Sequence, residues 1–307
     1  MTSVPVAQRE RAHRKHGVYV AAGETRLAKP LRVAPSGEPL KRFMDSIYLD
    51  RPCERLSKRQ IKIVNEARRP LMGQSDISEI NTKVRRAMAA AVNATSPLRV
   101  LEWGCGYHSM ESLIHDARFS CLDIDPIVVQ WQREHSKWHA GRGRKTVYLA
   151  DTELERIESA NYDVIISAFV FHFWVSRLHI STMKRALKDD GYILANVYRR
   201  GPLSRKKLVA EFERAGFMVE ISQDPVPLCA SQEFWCLTLA SDDRGRARQI
   251  LNNVTDHLLK HCDTSYMQRS TRGEQQTDSG FRRSFRLFGR RVPVFGSRWR
   301  PAPLKRT

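Results

Sequence analysis

The chain has 307 residues, 41% hydrophobic and 8% aromatic, with 52 Lys+Arg against 33 Asp+Glu and a formal net charge of +19. That apolar content is enough for a sizeable core and excludes a wholly disordered chain. The longest apolar run, Tyr162 to Trp174, falls short of the ~18 residues that cross a bilayer, so no transmembrane helix is expected.

The first thirty residues hold Arg9, Arg11, Arg14, Lys15, Arg26 and Lys29 without a compact apolar segment. This excludes a secretory signal peptide and leaves a basic organelle-targeting peptide open. Residues 1–40, with Pro5, Pro30, Pro35 and Pro39, show no sustained periodicity and read as an arm. The spacing of apolar residues predicts a helix over 77–92, then a strand over 98–103 that ends in a glycine-containing turn. A helix over 109–117 follows, with Met110, Leu113 and Ile114 on one face. The series goes on with a strand at 119–122, a helix at 127–138, strands at 146–150 and 162–168, and a helix at 176–188. Asp189, Asp190 and Gly191 form a turn into a strand at 192–197. After the Gly201-Pro202 break come a helix at 204–215, strands at 217–221 and 233–239, and a helix at 244–262. Strands alternating with helices mean right-handed crossovers and a mostly parallel sheet covered on both faces. No repeat of 20–50 residues interrupts this order.

The charge is not spread evenly. Residues 1–95 hold 19 basic and 9 acidic side chains, 96–240 hold 18 of each, and 241–307 hold 15 and 6. A neutral middle thus lies between two basic flanks. Six cysteines (Cys53, Cys105, Cys121, Cys229, Cys236 and Cys262) form no CxxC pair and no zinc-spaced cluster with His. The expectation is a reducing compartment, the cytoplasm unless an organellar leader acts, and no structural metal.

The strongest local signal is LEWGCGYHS at 101–109. Gly104 and Gly106 sit where a strand turns sharply into the next segment, and their missing side chains let a ligand approach the backbone. Asp123 falls at the end of the second strand, where a carboxylate can accept both hydroxyls of a ribose. Asp125-Pro126 reads as a helix cap with Pro in the first turn, and the two aspartates could also exchange these roles. A nicotinamide dinucleotide wants GxGxxG, whereas here the third position is Ser109 and an acid, Glu102, stands two residues before the first glycine. A carboxylate beside the turn repels a pyrophosphate and suits an ammonium group, so the turn favours a nucleoside bearing an amino acid.

These residues resemble the class I S-adenosylmethionine-dependent methyltransferases over about residues 95–240. The match lies in ExGxG as Glu102, Gly104 and Gly106, CLDIDP at the second strand, LADTE after the third, YDVIISAFVFHF at the fourth, and LKDDGYILANV into the fifth. The resemblance implies a Rossmann-like, seven-stranded, mostly parallel α/β sheet with its last strand antiparallel. It divides the chain into a basic, lid-like segment at 1–76, the core at 77–240, and a helix with a basic Arg/aromatic tail at 241–307. It also implies S-adenosylmethionine as cofactor. The backbone around Gly104, Cys105 and Gly106 would face the methionyl part, and Glu102 would support its amino group. Asp123 would bind the ribose, with Ile124 beside it. Asp151 would meet the adenine edge, Thr152 would add backbone contacts, and Ser167 and Ala168 would pass beside the cofactor. Tyr107-His108 stands where the family more often has a small residue or a third glycine. The Cys105 and Cys121 thiols read as small buried groups.

Methyl transfer is an in-line displacement that needs a base only when the acceptor loses a proton. His172, just after the fourth strand, is the candidate base; packing among Phe169, Phe171, Phe173 and Trp174 is the alternative. The fourth-strand loop lacks the Asn/Asp/Ser-Pro-Pro-aromatic tetrapeptide used on exocyclic amines of flipped bases. The basic flanks, and the Arg and aromatics of FRRSFRLFGRRVPVFGSRWR, make RNA the leading expected acceptor. A small or lipid-like molecule beneath an N-terminal lid is the alternative. An anionic membrane surface and a non-catalytic RNA-binding role are further readings.

Overall fold

A computed structural model describes residues 13–20, 40–44, 47–68, 75–135, 145–150, 152–226, 228, 231–239 and 243–262. All of these fall within one unit, Met1–Thr264, and the basic tail from 265 lies outside them. A small antiparallel sheet is built from β1 (His13–Lys15), β2 (Val18–Val20), β3 (Lys41–Met44) and β4 (Ile47–Leu49), in the order β1-β2-β4-β3. Helices α1 (Lys58–Arg68) and α2 (Ser75–Asn93) follow. The main sheet then takes β5 (Arg99–Trp103), β6 (Arg118–Asp123), β7 (Thr146–Leu149), β8 (Tyr162–Ser167), β9 (Leu187–Val197), β10 (Met218–Gln223) and β11 (Glu233–Thr238). Between them lie α3 (Pro126–Glu134), α4 (Arg177–Ala186) and α5 (Pro202–Arg214), and α6 (Arg244–His261) closes the series.

The seven strands run in the order β10-β11-β9-β8-β5-β6-β7. The five from β5 to β9 are parallel, and β11 is antiparallel to both its neighbours. This is the Rossmann-like sheet expected, with strand order reversing at β5. Alternation along each strand assigns the faces. Leu101, Trp103, Ile165, Ile193, Ala195 and Trp235 are buried in one core with Ile180 and Met183 of α4 and Leu208 and Phe212 of α5. The alternate residues Val100, Glu102, Val164, Ile166 and Leu194 are buried too. They face α2, whose Arg85 meets Glu102, and α6, whose Arg246 lies over the Tyr192 ring.

Three expectations change. The arm at 1–40 contains β1 and β2, three-residue strands too short to show alternation; β1 pairs locally with β2, and β2 pairs at long range with β4, Val18 opposite Leu49. The helix expected over 109–117 is a single 3-10 turn, Met110–Ser112, capped by the Ser109 side chain. There Asn93 of α2 takes over the backbone, donating to the Leu113 carbonyl (2.9 Å) and accepting from the His115 amide (3.0 Å), and Asp116 turns left-handed. Finally, β9 begins at Leu187, which pairs with Tyr162 before a register shift, so Asp189 and Asp190 lie on the strand instead of in a turn.

The small sheet and α1 share a second core. Phe43, Ile47, Leu49, Ile61 and Val64 pack with Phe173 of the loop after β8, and Ile124 after β6 leans on the same cluster. The N-terminal layer is thereby anchored over the carboxyl ends of the central strands.

Candidate active site

In open α/β sheets the crevice outside the carboxyl ends of the strands, where strand order reverses, is the ligand site. Here a cleft of about 1160 Å³, open solvent at its mouth included, lies at the ends of β5, β6, β7 and β8. Its floor is Trp103, Gly104, Gly106, Asp123, Ile124, Ala150 and Ala168. Ile61, Asn65 and Arg68 of α1 and Asn81 and Arg85 of α2 line it as well. Phe169, Val170, Phe173, Trp174, Val175 and His179 complete the wall.

The glycine turn is held from many directions. The Gly104 and Cys105 amides both donate to the Leu122 carbonyl, at 2.9 and 3.0 Å. Gly106 donates to Oδ2 of Asp123 (2.9 Å) and its carbonyl accepts from Nε2 of Gln132 (2.6 Å). Arg85 donates to the His108 carbonyl and to Oε1 of Glu102, the latter at 3.1 Å. Both glycines are left-handed, with φ of +79° at Gly104 and +57° at Gly106. A Cβ on Gly104 would collide with the Val170 side chain, whereas one on Gly106 would enter open space. Gly104 is therefore demanded by packing and Gly106 by backbone conformation, leaving clear room for a ligand beside Gly106.

Asp123 lines the cleft at the end of β6. Its Oδ1 accepts from the Asp125 amide and its Oδ2 from Gly106, both at 2.9 Å. A carboxylate has about four acceptor positions, so two remain for a ribose diol. Burial raises its pKa, and its backbone hydrogen bonds oppose that shift. Asp125 instead caps α3, accepting from the Ile127 amide at 3.0 Å, which is the capping role expected of it in the first of the two arrangements open from sequence. Ile124, Val128 and Ala150 set apolar surface beside Asp123, suited to a flat base. These features fit an S-adenosylmethionine molecule: a bare glycine backbone, a carboxylate with acceptor capacity left, and an apolar slot next to it. Tyr107 and His108 both line the cleft, and burial followed by Arg85 lowers the His108 pKa.

Other sequence-expected residues stand elsewhere. Glu102 is fully buried and its carboxylate is taken up inside the protein by Arg85, the Ser109 hydroxyl (2.8 Å) and the Met110 amide (2.9 Å). It braces the turn and does not line the cleft, because strand alternation sends its side chain toward α2. Burial raises its pKa, with Arg85 pulling the other way. The Cys105 side chain is buried beside Cys121, so this residue contributes backbone only. The Ser167 hydroxyl donates to the Trp103 carbonyl at 3.0 Å, tying β8 to β5, and Ala168 after it reaches the cleft. Thr152 is exposed outside the cleft and its amide donates to Leu149. Asp151 lies outside the described residues.

His172 is not in the cleft. Its ring is fully buried against Phe173 (3.9 Å between centroids), Tyr198 (4.4 Å) and Phe43 (5.9 Å), and neither nitrogen has a hydrogen-bond partner. Burial, then Arg68, Arg199 and Arg200, push its pKa well below 6.5. The loop after β8 turns this side chain into the seam with the N-terminal sheet, which removes it as a cleft base. Burial likewise lowers the pKa of Arg68, which does line the cleft.

Sequence reasoning missed Arg85, Gln132 and the α1 wall. Arg85 and Gln132 reach the turn across long separations that no local motif records. Ile61, Asn65 and Arg68, spaced by four and three, had a helical signal in the sequence but no cue to what they face. Among the described residues no group of three His, Cys, Asp or Glu could hold a metal ion, and no helix is long and apolar enough to cross a membrane.

Residues 101–195 match the family model of a methyltransferase domain. No curated protein matches the chain. Among solved structures it is similar to a TehB-like methyltransferase from Corynebacterium glutamicum at 18% identity, covering 50% of this chain and 86% of that one with a TM-score of 0.39. The human N-acetylserotonin methyltransferase in complex with its cofactor is 16% identical over 60% of this chain and 57% of that one, with a TM-score of 0.41. A mitomycin 7-O-methyltransferase gives 19%, 60%, 61% and 0.43 for the same quantities.

Proposed function

We propose, for a chain whose residues 101–195 are a class I S-adenosylmethionine-dependent methyltransferase domain, that the methyl acceptor is a small aromatic molecule held between the loop after β8 and α1. When bound, the cofactor supplies an electrophilic sulfonium methyl group. Asp123 accepts the ribose hydroxyls, Ile124, Val128 and Ala150 face the base, and the bare backbone at Gly106 admits the methionyl end.

The observation that carries the acceptor class is the makeup of the far wall. Trp103, Phe169, Phe173, Trp174 and His179 line the cleft there, and Ile61, Asn65 and Arg68 of α1 line it from the N-terminal layer. Asp123 is the one carboxylate among the described lining residues. Such a wall binds a planar apolar body by stacking and burial. Its contribution to rate is to hold the acceptor in line with the methyl group and keep water out. Trp174, 48% exposed, stands at the mouth where an acceptor enters.

A second reading, RNA, is favoured by the charge of 241–307, where 15 basic residues meet 6 acidic ones. One experiment separates the two. Full-length protein is incubated with labelled S-adenosylmethionine and fractionated cell extract, with Asp123→Ala as blank. Label entering the low-mass fraction, and resistant to ribonuclease and protease, is the expected result. Label confined to RNA overturns the small-molecule reading.

A further inference from the structure

Phe169 lines the cleft in a left-handed backbone conformation, φ +60°. For a bulky residue this conformation is strained and persists only where the surroundings impose it. The imposing group is in view: the Phe169 amide donates to Oδ1 of Asn196, fully buried on β9, at 2.6 Å.

Asn196 is one link in a buried chain. Its Nδ2 donates to Oε1 of Gln232 (3.0 Å), and Nε2 of Gln232 donates to Oδ2 of Asp224 (2.8 Å). Asp224 lies in the hairpin loop between β10 and β11, where it also accepts from the Val226 amide (3.0 Å) and the Leu228 amide (3.2 Å). Direction follows from chemistry. An ionised carboxylate only accepts, so Gln232 must turn its amide nitrogen to Asp224 and its carbonyl to Asn196. Asn196 must then give its nitrogen to Gln232 and its carbonyl to Phe169. A device that merely closed the hairpin would end at Gln232; this chain continues across β9 to a strained peptide on the cleft wall.

We propose that Asp224, Gln232 and Asn196 form a positioning relay that holds Phe169 left-handed and so sets the shape of the cleft where its floor meets the aromatic wall. None of the three lines the cleft. Their action on catalysis goes through Phe169, and in that respect the proposal rests on the methyltransferase reading of the site. The relay explains why Asn196 stands fully buried on β9 and Gln232 is buried just before β11: each amide fixes the orientation of the next, and a wrong orientation leaves a buried donor facing a donor.

The test is amide hydrogen exchange on the full-length, cofactor-free protein, read at Phe169 and at residues 224–232. Gln232→Met keeps the volume and removes both links; Asp224→Asn turns a donor toward the loop amides and is the second variant should the first fail to fold. The Phe169 amide is expected to exchange at least tenfold faster in either variant. Unchanged exchange at Phe169, with faster exchange confined to 224–232, overturns the relay and leaves a hairpin staple. Because the readout needs no ligand, it stands apart from a parallel titration with S-adenosylhomocysteine, whose failure would count against the methyltransferase reading alone.

Discussion

The two halves of the cleft are built by opposite means. On the cofactor side, short-range geometry dominates: the turn at 104–110 is pinned by Leu122, Asp123, Gln132, Arg85 and Glu102, all through hydrogen bonds or an ion pair. On the acceptor side the side chains of the loop after β8 are held largely by packing, with Phe173 docked into the core of the N-terminal layer, while hydrogen bonds with Asn196 and Arg200 fix the backbone at Phe169 and Phe173. Hydrogen bonds fix positions to a fraction of an ångström, whereas apolar packing tolerates exchange of shapes of similar volume.

Substitutions that touch one half and spare the other test that division. The largest effect is expected from Phe43→Ala, which removes a side chain only 2% exposed from the N-terminal core and costs about 3–5 kcal/mol. Limited proteolysis should then cut within 13–68 well before the main sheet, while affinity for S-adenosylhomocysteine falls by less than about tenfold. Equal loss of both would mean that the halves are one cooperative unit.

Next comes pH. Burial pushes the Asp224 carboxyl up to about 6, so the folded protein binds an extra proton there between about pH 4 and 6. A raised carboxyl pKa means that this group's penalty is absent below the unfolded value and grows as pH rises. Stability attributable to Asp224 therefore falls by about 3 kcal/mol across that window and is flat above it. Urea midpoints at pH 4.5 and 6.5 should differ less in Asp224→Asn than in the wild type; identical slopes would remove Asp224 from the account.

A smaller change follows from Gly106→Ala. Its Cβ meets nothing, so the cost is that of left-handed backbone alone, about 1–2 kcal/mol in thermal unfolding. Gly104→Ala adds the collision with Val170 and should be clearly worse. The smallest effect is expected of His172→Phe, which exchanges a buried imidazole without hydrogen-bond partners for an apolar ring, nearly neutral to stability. Methyl transfer should be retained, and a profound loss would restore His172 as a base.

The same division explains what was legible in the sequence. Glu102, Gly104, Gly106 and Asp123 lie within 22 residues of one another, and their spacing located the glycine turn and the carboxylate at the end of β6. The alternation of strands and helices over 98–262 was equally local, since each element carries its own periodicity. What escaped notice depended on distant partners. Ser109 to Ala117 has a helical pattern that Asn93 overrides. The strand β2 is paired with the distant β4, and β1 is in turn paired with β2. His172 sits in an apolar motif whose direction is set by Phe43, more than a hundred residues away. Glu102 was recognised as a site residue, but its role depends on Arg85, which only the packing of α2 brings near.

The central claim is that the carboxylate at the end of β6 holds the cofactor. Calorimetric titration of the wild type and of Asp123→Ala with S-adenosylmethionine tests it most directly. Two hydroxyls bonded to one charged group contribute about 3 kcal/mol or more, so the variant should bind at least about 100-fold more weakly. Equal affinity in the two proteins would contradict the account.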